Sequence, residues 1–409
     1  VSEAQKIENS PSPAIETPRP PIQYVATGEL HSFYALTARG LAEVLQKELI
    51  GLGFKSAGVY QGGVLFKTDW KGCYFANLWL RTASRVVMPL SEFPVTDGES
   101  LYREVVKHDF TQYITPQQTL FIEASVKDTP ELTDQRFVAM KTKDAIVDQF
   151  REKFGERPSV DRDTAGLRVW IRIQKNKALM ALDTTGEPLF KRHYRVENVP
   201  APVKEHVAAG LIQLSGWDGK SAVLDPMCGS GTFLVECAML ASRMAPGCMK
   251  NDFAFQRYKN FDENAWDELI SEAQDQETEV LPVPFFGFDS DRKAMEAARA
   301  NAKAAGFSKQ IQIHRSSVDI SELPEEMAGV KGTIFVNPPY GERLEKDEPL
   351  LQDVYKDLGF ALKTRYKGWR VWVLSPRRDL TDLMAMRPFK RYKVWNGPIE
   401  CEFSGFDVF

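Results

Sequence analysis

The order of apolar and polar positions changes period several times along the 409-residue chain, and those changes divide it. Residues 1–28 show no apolar periodicity; they hold Ser-Pro-Ser-Pro at 10–13 and Pro18, Pro20 and Pro21, and read as a disordered leader. From Ser32 the pattern becomes regular. Phe33-Tyr34-Ala35-Leu36 is a strand-like run, and Leu41 to Ile50 has the spacing of an amphipathic helix. Val59-Tyr60 and Val64-Leu65-Phe66 flank Gln61-Gly62-Gly63 as a hairpin, Trp70 to Leu80 reads as helix, and Arg85 to Leu90 as strand. This βαββαβ order predicts a ferredoxin-like domain over residues 29–97.

A second α/β unit follows over residues 98–187. Thr119 to Val126 is a strand, Phe137 to Phe154 a helix, and Leu167 to Gln174 and Lys177 to Asp183 an antiparallel pair turning at Lys175-Asn176. Residues 188–201 form a connector. Beyond it strands at Ala222, Pro284 to Phe288, Ile311 to His314, Thr333 to Val336 and Arg370 to Leu374 alternate with helices, notably Val203 to Leu214, Lys293 to Ala305 and Leu351 to Thr364. Tyr392 to Trp395 and Glu402 to Phe409 read as a closing antiparallel pair. Residues 202–409 therefore predict a Rossmann-like, doubly wound α/β domain.

Composition narrows this picture. Hydrophobic content of 43% and charged content of 26% are those of a globular protein. No run of eighteen apolar residues is present to span a membrane, and Val1 to Arg19 lack the apolar core of a signal peptide. Cys73, Cys228, Cys237, Cys248 and Cys401 are scattered and out of metal-ligand spacing, so reduced thiols, a cytoplasmic location and no metal are expected. A formal net charge of −4 excludes coating of nucleic acid by bulk charge but leaves room for local basic patches.

Two stretches are candidates for such patches. Lys141 and Lys143 lie on the polar side of their helix, where they suit phosphate contact or a merely solvated face. In Pro188 to Arg195, the cations Lys191, Arg192 and Arg195 interleave with Phe190 and Tyr194 on a connector expected to be exposed. Cations against phosphates and rings against unpaired bases would suit RNA.

The candidate chemistry centres on Ala222-Val223-Leu224-Asp225-Pro226-Met227-Cys228-Gly229-Ser230-Gly231-Thr232. A short apolar run ends in an acid, turns through two glycines and becomes helical, the architecture that holds a nucleotide-like cofactor at the edge of a parallel sheet. Leu234 replaces the third glycine of a dinucleotide fingerprint. An acid at the strand end suits a cationic ligand such as S-adenosylmethionine better than a pyrophosphate. The strand at Pro284 ends in Asp289-Ser290-Asp291, where Asp289 can accept ribose hydroxyls and Asp291 can cap the next helix. Asp289 stands 64 residues beyond Asp225 (225 to 289), against about 20 in a plain βαβ unit. The excess maps to 245–281, whose aromatic residues suit either a substrate-side flap or a packed excursion.

The strand Thr333 to Val336 runs into Asn337-Pro338-Pro339-Tyr340. An exocyclic amine on a base is a poor nucleophile because its lone pair is delocalised into the ring. The Asn337 side-chain oxygen and the Pro338 carbonyl can hold its two N–H groups, which favours a pyramidal nitrogen, and Tyr340 offers a stacking face for an extruded base.

Asp-Pro-Met-Cys-Gly-Ser-Gly-Thr (225–232) and Asn-Pro-Pro-Tyr-Gly-Glu-Arg-Leu (337–344) resemble motifs I and IV of amino-methyltransferases that use S-adenosylmethionine. Phe33 to Leu41, Gln61 to Val64 and Met140 to Asp148 resemble an N-terminal ferredoxin-like segment and a THUMP domain, and Pro202-Val203-Lys204-Glu205 resembles the motif before the cofactor loop. Together they resemble the RlmL family of bacterial 23S rRNA guanine-N2 methyltransferases, from Ser32 to the C-terminus. The resemblance implies RNA binding by the THUMP region and methylation of a guanosine N2 amine by the Rossmann-like domain. It implies that Asp225, Gly229 and Gly231 line the methionine end of the cofactor and that Pro226, Thr232, Lys204 and Glu205 also belong to the cofactor site. Asp289 would meet the ribose, Asp319 the adenine, and Asn337, Pro338 and Tyr340 the target base.

The chain differs from some relatives in its proline-rich leader and in having one methyltransferase domain, so the second activity of a fused partner domain is not expected. A tRNA guanosine-N2 methyltransferase would share every motif. Adenine-N6 methylation of DNA is allowed by the Asn-Pro-Pro-Tyr chemistry but not favoured by the N-terminal half. A ribosome assembly factor with an inactive methyltransferase fold is opposed by the intact Asp225, Asp289, Asn337 and Tyr340.

Overall fold

The computed structural model describes residues 22–55, 57–60, 62–199, 202–278, 281, 283–318, 329–340 and 348–409. Residues 1–21 of the expected leader lie outside them. Residues 22–28 are not disordered, because Tyr24 is buried with its hydroxyl on Asp69 Oδ1 at 2.7 Å and the Thr27 and Gly28 N–H groups donate to Asp69 Oδ2 at 2.9 Å. Two sheets organise the chain. The N-terminal one contains β1 (His31–Leu36), β2 (Gly58–Tyr60), β3 (Gly63–Thr68), β4 (Arg85–Pro94), β5 (Thr119–Lys127), β6 (Ser159–Val160), β7 (Leu167–Gln174) and β8 (Lys177–Asp183). Their spatial order is β2-β3-β1-β4-β8-β7-β5-β6. The two units read separately from the sequence thus share one sheet, joined where β4 pairs antiparallel with β8 from Val87↔Asp183 to Pro94↔Lys177. The register shifts between Pro89 and Ser91, where a proline without an N–H cannot continue the ladder.

Strict alternation in β7 buries Leu167, Val169, Ile171 and Ile173 and turns Arg168, Trp170, Arg172 and Gln174 to the other face. The buried face packs against α1 (Ala42–Gly51), α2 (Trp70–Trp79) and α4 (Gln135–Phe154) through Leu45, Leu49, Phe75, Ile146 and Phe150, while α3 (Gly98–Val105) lies alongside α4. Among the described residues the opposite face carries only a small buried apolar cluster of Tyr34, Val87 and Ala181.

The second sheet has the order β11-β10-β9-β12-β13-β15-β14. Its strands are β9 (Ala222–Asp225), β10 (Phe285–Asp289), β11 (Ile311–Arg315), β12 (Gly332–Val336), β13 (Arg370–Ser375), β14 (Lys390–Asn396) and β15 (Ile399–Asp407). The first five are parallel and β15 runs antiparallel between β13 and β14. Helices α5 (Glu205–Ser215), α6 (Thr232–Ala241), α8 (Arg292–Ala304), α9 (Glu348–Arg365) and α10 (Arg378–Asp382) accompany these strands. Strand order reverses at β9, so a crevice opens beyond the carboxyl ends of β9, β10 and β12. Among the described residues no helix is long and apolar enough to cross a membrane.

The segment 245–281 is a packed excursion. Phe253, Phe255 and Tyr258, with Trp266 of α7 (Glu263–Gln276), are buried in the core of the N-terminal sheet rather than in that of the second. Phe255 stacks on Tyr74 of α2 with ring centroids 4.5 Å apart. The Tyr258 hydroxyl donates to the Asp183 carbonyl at 2.7 Å, and the Phe255 N–H to the Thr184 carbonyl at 3.0 Å. The second half of the chain thereby clasps the first.

The connector departs from expectation. Arg192 and Tyr194 are buried, not exposed to meet RNA. Arg192 Nη1 lies 2.8 Å from Glu236 Oε2 of α6, and the Tyr194 hydroxyl donates to Glu236 Oε1 at 3.0 Å. Arg192 Nη2 also donates to the Arg81 carbonyl at 2.5 Å, while the Arg81 guanidinium donates to the carbonyls of Met239 and Met244. Burial, with the nearby Arg192 charge, lowers the Arg81 pKa to about 10. Arg195 is mostly buried against Glu205 at 2.9 Å. These three side chains are spent inside the protein because Glu205 of α5, Glu236 of α6 and the Arg81 carbonyl meet them there. Lys191 and His193 stay exposed and pair with Glu187 at 3.0 and 2.9 Å.

Candidate cofactor and target-base site

Strand β9 is buried along its length, as expected of a parallel strand covered on both faces, and delivers Asp225 to the crevice. The loop after it requires both glycines, for different reasons. Gly229 has φ +54° and Gly231 φ +79°, the left-handed region that an L side chain disfavours. A Cβ on Gly231 would also stand 3.2 Å from the Ala298 Cβ of α8, whereas one on Gly229 would meet only Val199, at 3.6 Å. Gly229 therefore leaves its side of the loop open to a ligand. Its N–H donates to Asp289 Oδ2 at 2.9 Å, which ties the loop to the tip of β10.

Asp289 Oδ1 accepts the Asp291 N–H at 2.9 Å, and Asp291 caps α8 through the Lys293 N–H, also at 2.9 Å. Burial pushes the Asp289 pKa up, with the N–H groups of Asp291 and Gly229 pulling the other way. Asp225 is driven well above the usual carboxylate range by burial, offset only partly by the Met227 N–H at 3.1 Å. Among the described residues neither acid has a Lys or Arg within ion-pair distance. Two carboxylates without a cation, Asp225 buried and Asp289 half-buried, form an acceptor set that fits a sulfonium cofactor bearing ribose hydroxyls.

Strand β12 leads into Asn337-Pro338-Pro339-Tyr340 on the opposite wall. Asn337 Oδ1 is shut off from solvent and accepts no hydrogen bond among the described residues. A buried acceptor without a donor costs about 1–3 kcal/mol, so its natural partner is a donor on a ligand. The Tyr340 ring is partly buried, and its hydroxyl accepts a hydrogen bond from Asn396 Nδ2 at 3.4 Å. Asn396 also reaches the Pro202 carbonyl at 3.5 Å. Burial raises the Tyr340 pKa, keeping the phenol neutral.

A cavity of about 310 Å³ unites Asp225, Gly229, Thr232, Asp289, Asn337, Pro338 and Tyr340 from the sequence-derived set, and adds Met227, Cys228 and Ser290. Pro226 and Gly231 belong to the loop but not to the cavity wall. Lys204 and Glu205 also stand outside it: the Lys204 ammonium lies 4.8 Å from the Phe190 ring centroid, and Glu205 is paired behind the wall with Arg195. Arg195 further donates to Thr232 Oγ1 and the Val203 carbonyl, both at 2.9 Å, so it braces the cofactor loop. Asp319 lies outside the described residues. Lys141 and Lys143, remote in sequence on α4, are paired with Glu99 at 2.9 Å and Asp144 at 2.8 Å. Asn396 escaped sequence reasoning because Asn396-Gly397 is a hairpin-turn signal that explains itself without a site.

Comparison with known proteins places this arrangement. Three family models match in order: an RlmL ferredoxin-like domain over residues 32–87, a THUMP domain over 95–183, and an RMKL-like methyltransferase domain over 192–404. SMU.472, named as a methyltransferase and solved in complex with SAH, is 30% identical; the match covers 94% of this chain and 99% of that one with a TM-score of 0.84. A protein of Clostridium difficile named as a methylase is 28% identical, with 93% and 99% covered and a TM-score of 0.83. A protein of Listeria monocytogenes named as an N6-adenine-specific DNA methylase is 26% identical, with 93% and 97% covered and a TM-score of 0.82.

Proposed function

The chain belongs to the RlmL-like family of THUMP-domain methyltransferases, and from that premise we propose that it methylates the exocyclic N2 amine of a guanosine in 23S rRNA. Its cofactor is S-adenosylmethionine, which supplies an electrophilic methyl group on a sulfonium sulfur. Asp225 and the Gly229 loop would hold the methionine end and Asp289 the ribose, with charge balance as the reason: Asp225 is buried, Asp289 half-buried, and neither has a cation among the described residues. The observation that carries the acceptor assignment is the unpartnered Asn337 Oδ1 at the cavity wall. It and the Pro338 carbonyl accept the two N–H groups of the amine, while the Tyr340 ring packs on the base. Held this way, the nitrogen presents its lone pair to the methyl group; once methylated it becomes acidic and sheds a proton without a strong base.

The THUMP region supports RNA as the substrate class. The experiment is nucleoside mass spectrometry of 23S rRNA, tRNA and DNA from cells with and without the gene. Loss of one N2-methylguanosine from 23S rRNA is the expected result. Loss from tRNA would move the target and keep the chemistry, and loss of N6-methyladenine from DNA would align the chain with the name of its Listeria relative. No change in any pool would overturn the proposal.

A further inference from the structure

We propose that the open face of the N-terminal sheet is a trough for an unpaired RNA segment, whose bases stack on Tyr60 and Trp170 and whose phosphates meet Arg172, Lys175 and Lys177. This inference rests on the RNA reading above and assigns it a surface other than the helix α4 and connector cations read from the sequence.

The helices cover one face of the sheet and leave the other with a cavity of about 860 Å³ across β1, β3, β4, β8 and β7. Alternation in β7 puts Trp170 and Arg172 on that side. Tyr34 fixes the floor: its hydroxyl donates to the Tyr60 carbonyl at 2.6 Å, and burial pushes its pKa up to about 12. Tyr60 remains 45% exposed and Leu65 40%, an apolar rim too wet to be core. At the far side Lys175 and Asn176 both adopt positive φ, +51° and +58°, in the tight β7–β8 turn that holds the Lys175 side chain in solvent.

Charge selects the occupant. Lys177 is partnered by Glu92 at 2.8 Å, but among the described residues Arg172 and Lys175 have no carboxylate partner, so the trough keeps a positive excess in a chain whose net charge is −4. Rings beside unneutralised cations, on a sheet that offers flat stacking surfaces, match single-stranded RNA. The trough also leads to the chemistry. Strand β1 forms part of its floor and continues through Thr37 to Arg39, whose carbonyl accepts the Trp395 N–H at 3.2 Å. The next residue, Asn396, holds the Tyr340 hydroxyl. A strand of RNA leaving the trough along β1 therefore arrives at the target-base pocket.

The test uses the full chain with two probes, a labelled oligouridylate of about twelve nucleotides and a 23S rRNA transcript. Tyr60→Ala, Lys175→Glu and Arg172→Glu are compared with Lys143→Glu on α4, with melting temperature and S-adenosylmethionine affinity as folding controls. Each trough variant is expected to bind both probes about tenfold more weakly and to raise KM for the RNA, with Lys143→Glu close to the parent. Should one variant fail to fold, Lys175→Glu decides alone, because its exposed turn position carries no packing. Parent protein that binds neither probe would defeat the RNA reading itself. Parent binding with unchanged affinity in the trough variants would overturn the trough and leave that reading standing. Loss of self-association in the variants at unchanged RNA affinity would mark the face as an interface between copies and also overturn it.

Discussion

Arg192 and Glu236 meet at 2.8 Å with side chains only 1% and 0% exposed, on the seam between the N-terminal sheet and α6 of the methyltransferase domain. The contact is an ion pair rather than an aligned hydrogen bond, since Arg192 Nη1 and Glu236 Oε2 lack hydrogen-bond geometry. Burial raises the Glu236 pKa even though Arg192 pulls it down. Such a pair adds little over an apolar replacement, but breaking it on one side strands a charge. Arg192→Met is expected to cost about 3–5 kcal/mol in urea unfolding, and Arg192→Met with Glu236→Leu to recover most of that loss. A single variant as stable as the parent would show that the pair does not secure the seam.

The unpartnered Asn337 Oδ1 separates binding from turnover. Asn337→Ala leaves the carboxylates and glycine loop untouched, so S-adenosylmethionine affinity measured by calorimetry should stay within about twofold. Methyl transfer in a single turnover should fall by about 10²-fold or more, the cost of a misplaced reacting group. Loss of cofactor affinity instead would place Asn337 on the cofactor side of the cavity and remove it from the acceptor side.

The ends of β9, β10 and β12 were readable in the sequence because parallel strands are apolar runs and these three stop at an acid or at Asn-Pro. Asp225, Asp289 and Asn337 stand where that pattern puts them, around one cavity. The pairing of β4 with β8 was not readable: nothing local to Arg85–Pro94 names a partner nearly ninety positions on. Arg192 and Tyr194 misled for a related reason. Alternating cations and rings look the same whether they face RNA or an acid, and the deciding acid, Glu236, is distant in the chain. The aromatics of 245–281 reveal their role only beside Tyr74, which the fold brings to Phe255.

Asp225 links stability to function through pH. Its folded-state pKa is raised, so its favourable contribution to stability is fully present below the unfolded-state pKa and lost as pH rises through the folded one. Without ligand, ionising this buried carboxylate therefore costs stability. A cationic cofactor prefers the ionised form, so affinity should fall on acidification through a range above that of an ordinary carboxylate. Asp225→Asn, which keeps an acceptor for the Met227 N–H, should stabilise the ligand-free protein by about 1 kcal/mol or more. It should also weaken S-adenosylmethionine binding and flatten its pH dependence. A variant that kept both the affinity and the pH profile would remove Asp225 from the site.

Arg195 tests whether the connector serves the cofactor or the RNA. Its guanidinium lies 2.9 Å from Glu205 and donates at 2.9 Å to Thr232 Oγ1, which lines the cavity at the start of α6. Replacing it with Met leaves Glu205 buried without its cation and frees the first turn of α6 from the connector. S-adenosylmethionine should then bind about tenfold more weakly, the effect of losing roughly 1.4 kcal/mol. A phosphate contact behaves differently: its removal would weaken RNA binding and reduce the slope of log affinity against log salt by about one. Because Arg195 is spent inside the protein, that slope should match the parent's. The reverse outcome, with cofactor affinity intact and the salt slope reduced, would require Arg195 to leave Glu205 and turn outward when RNA binds.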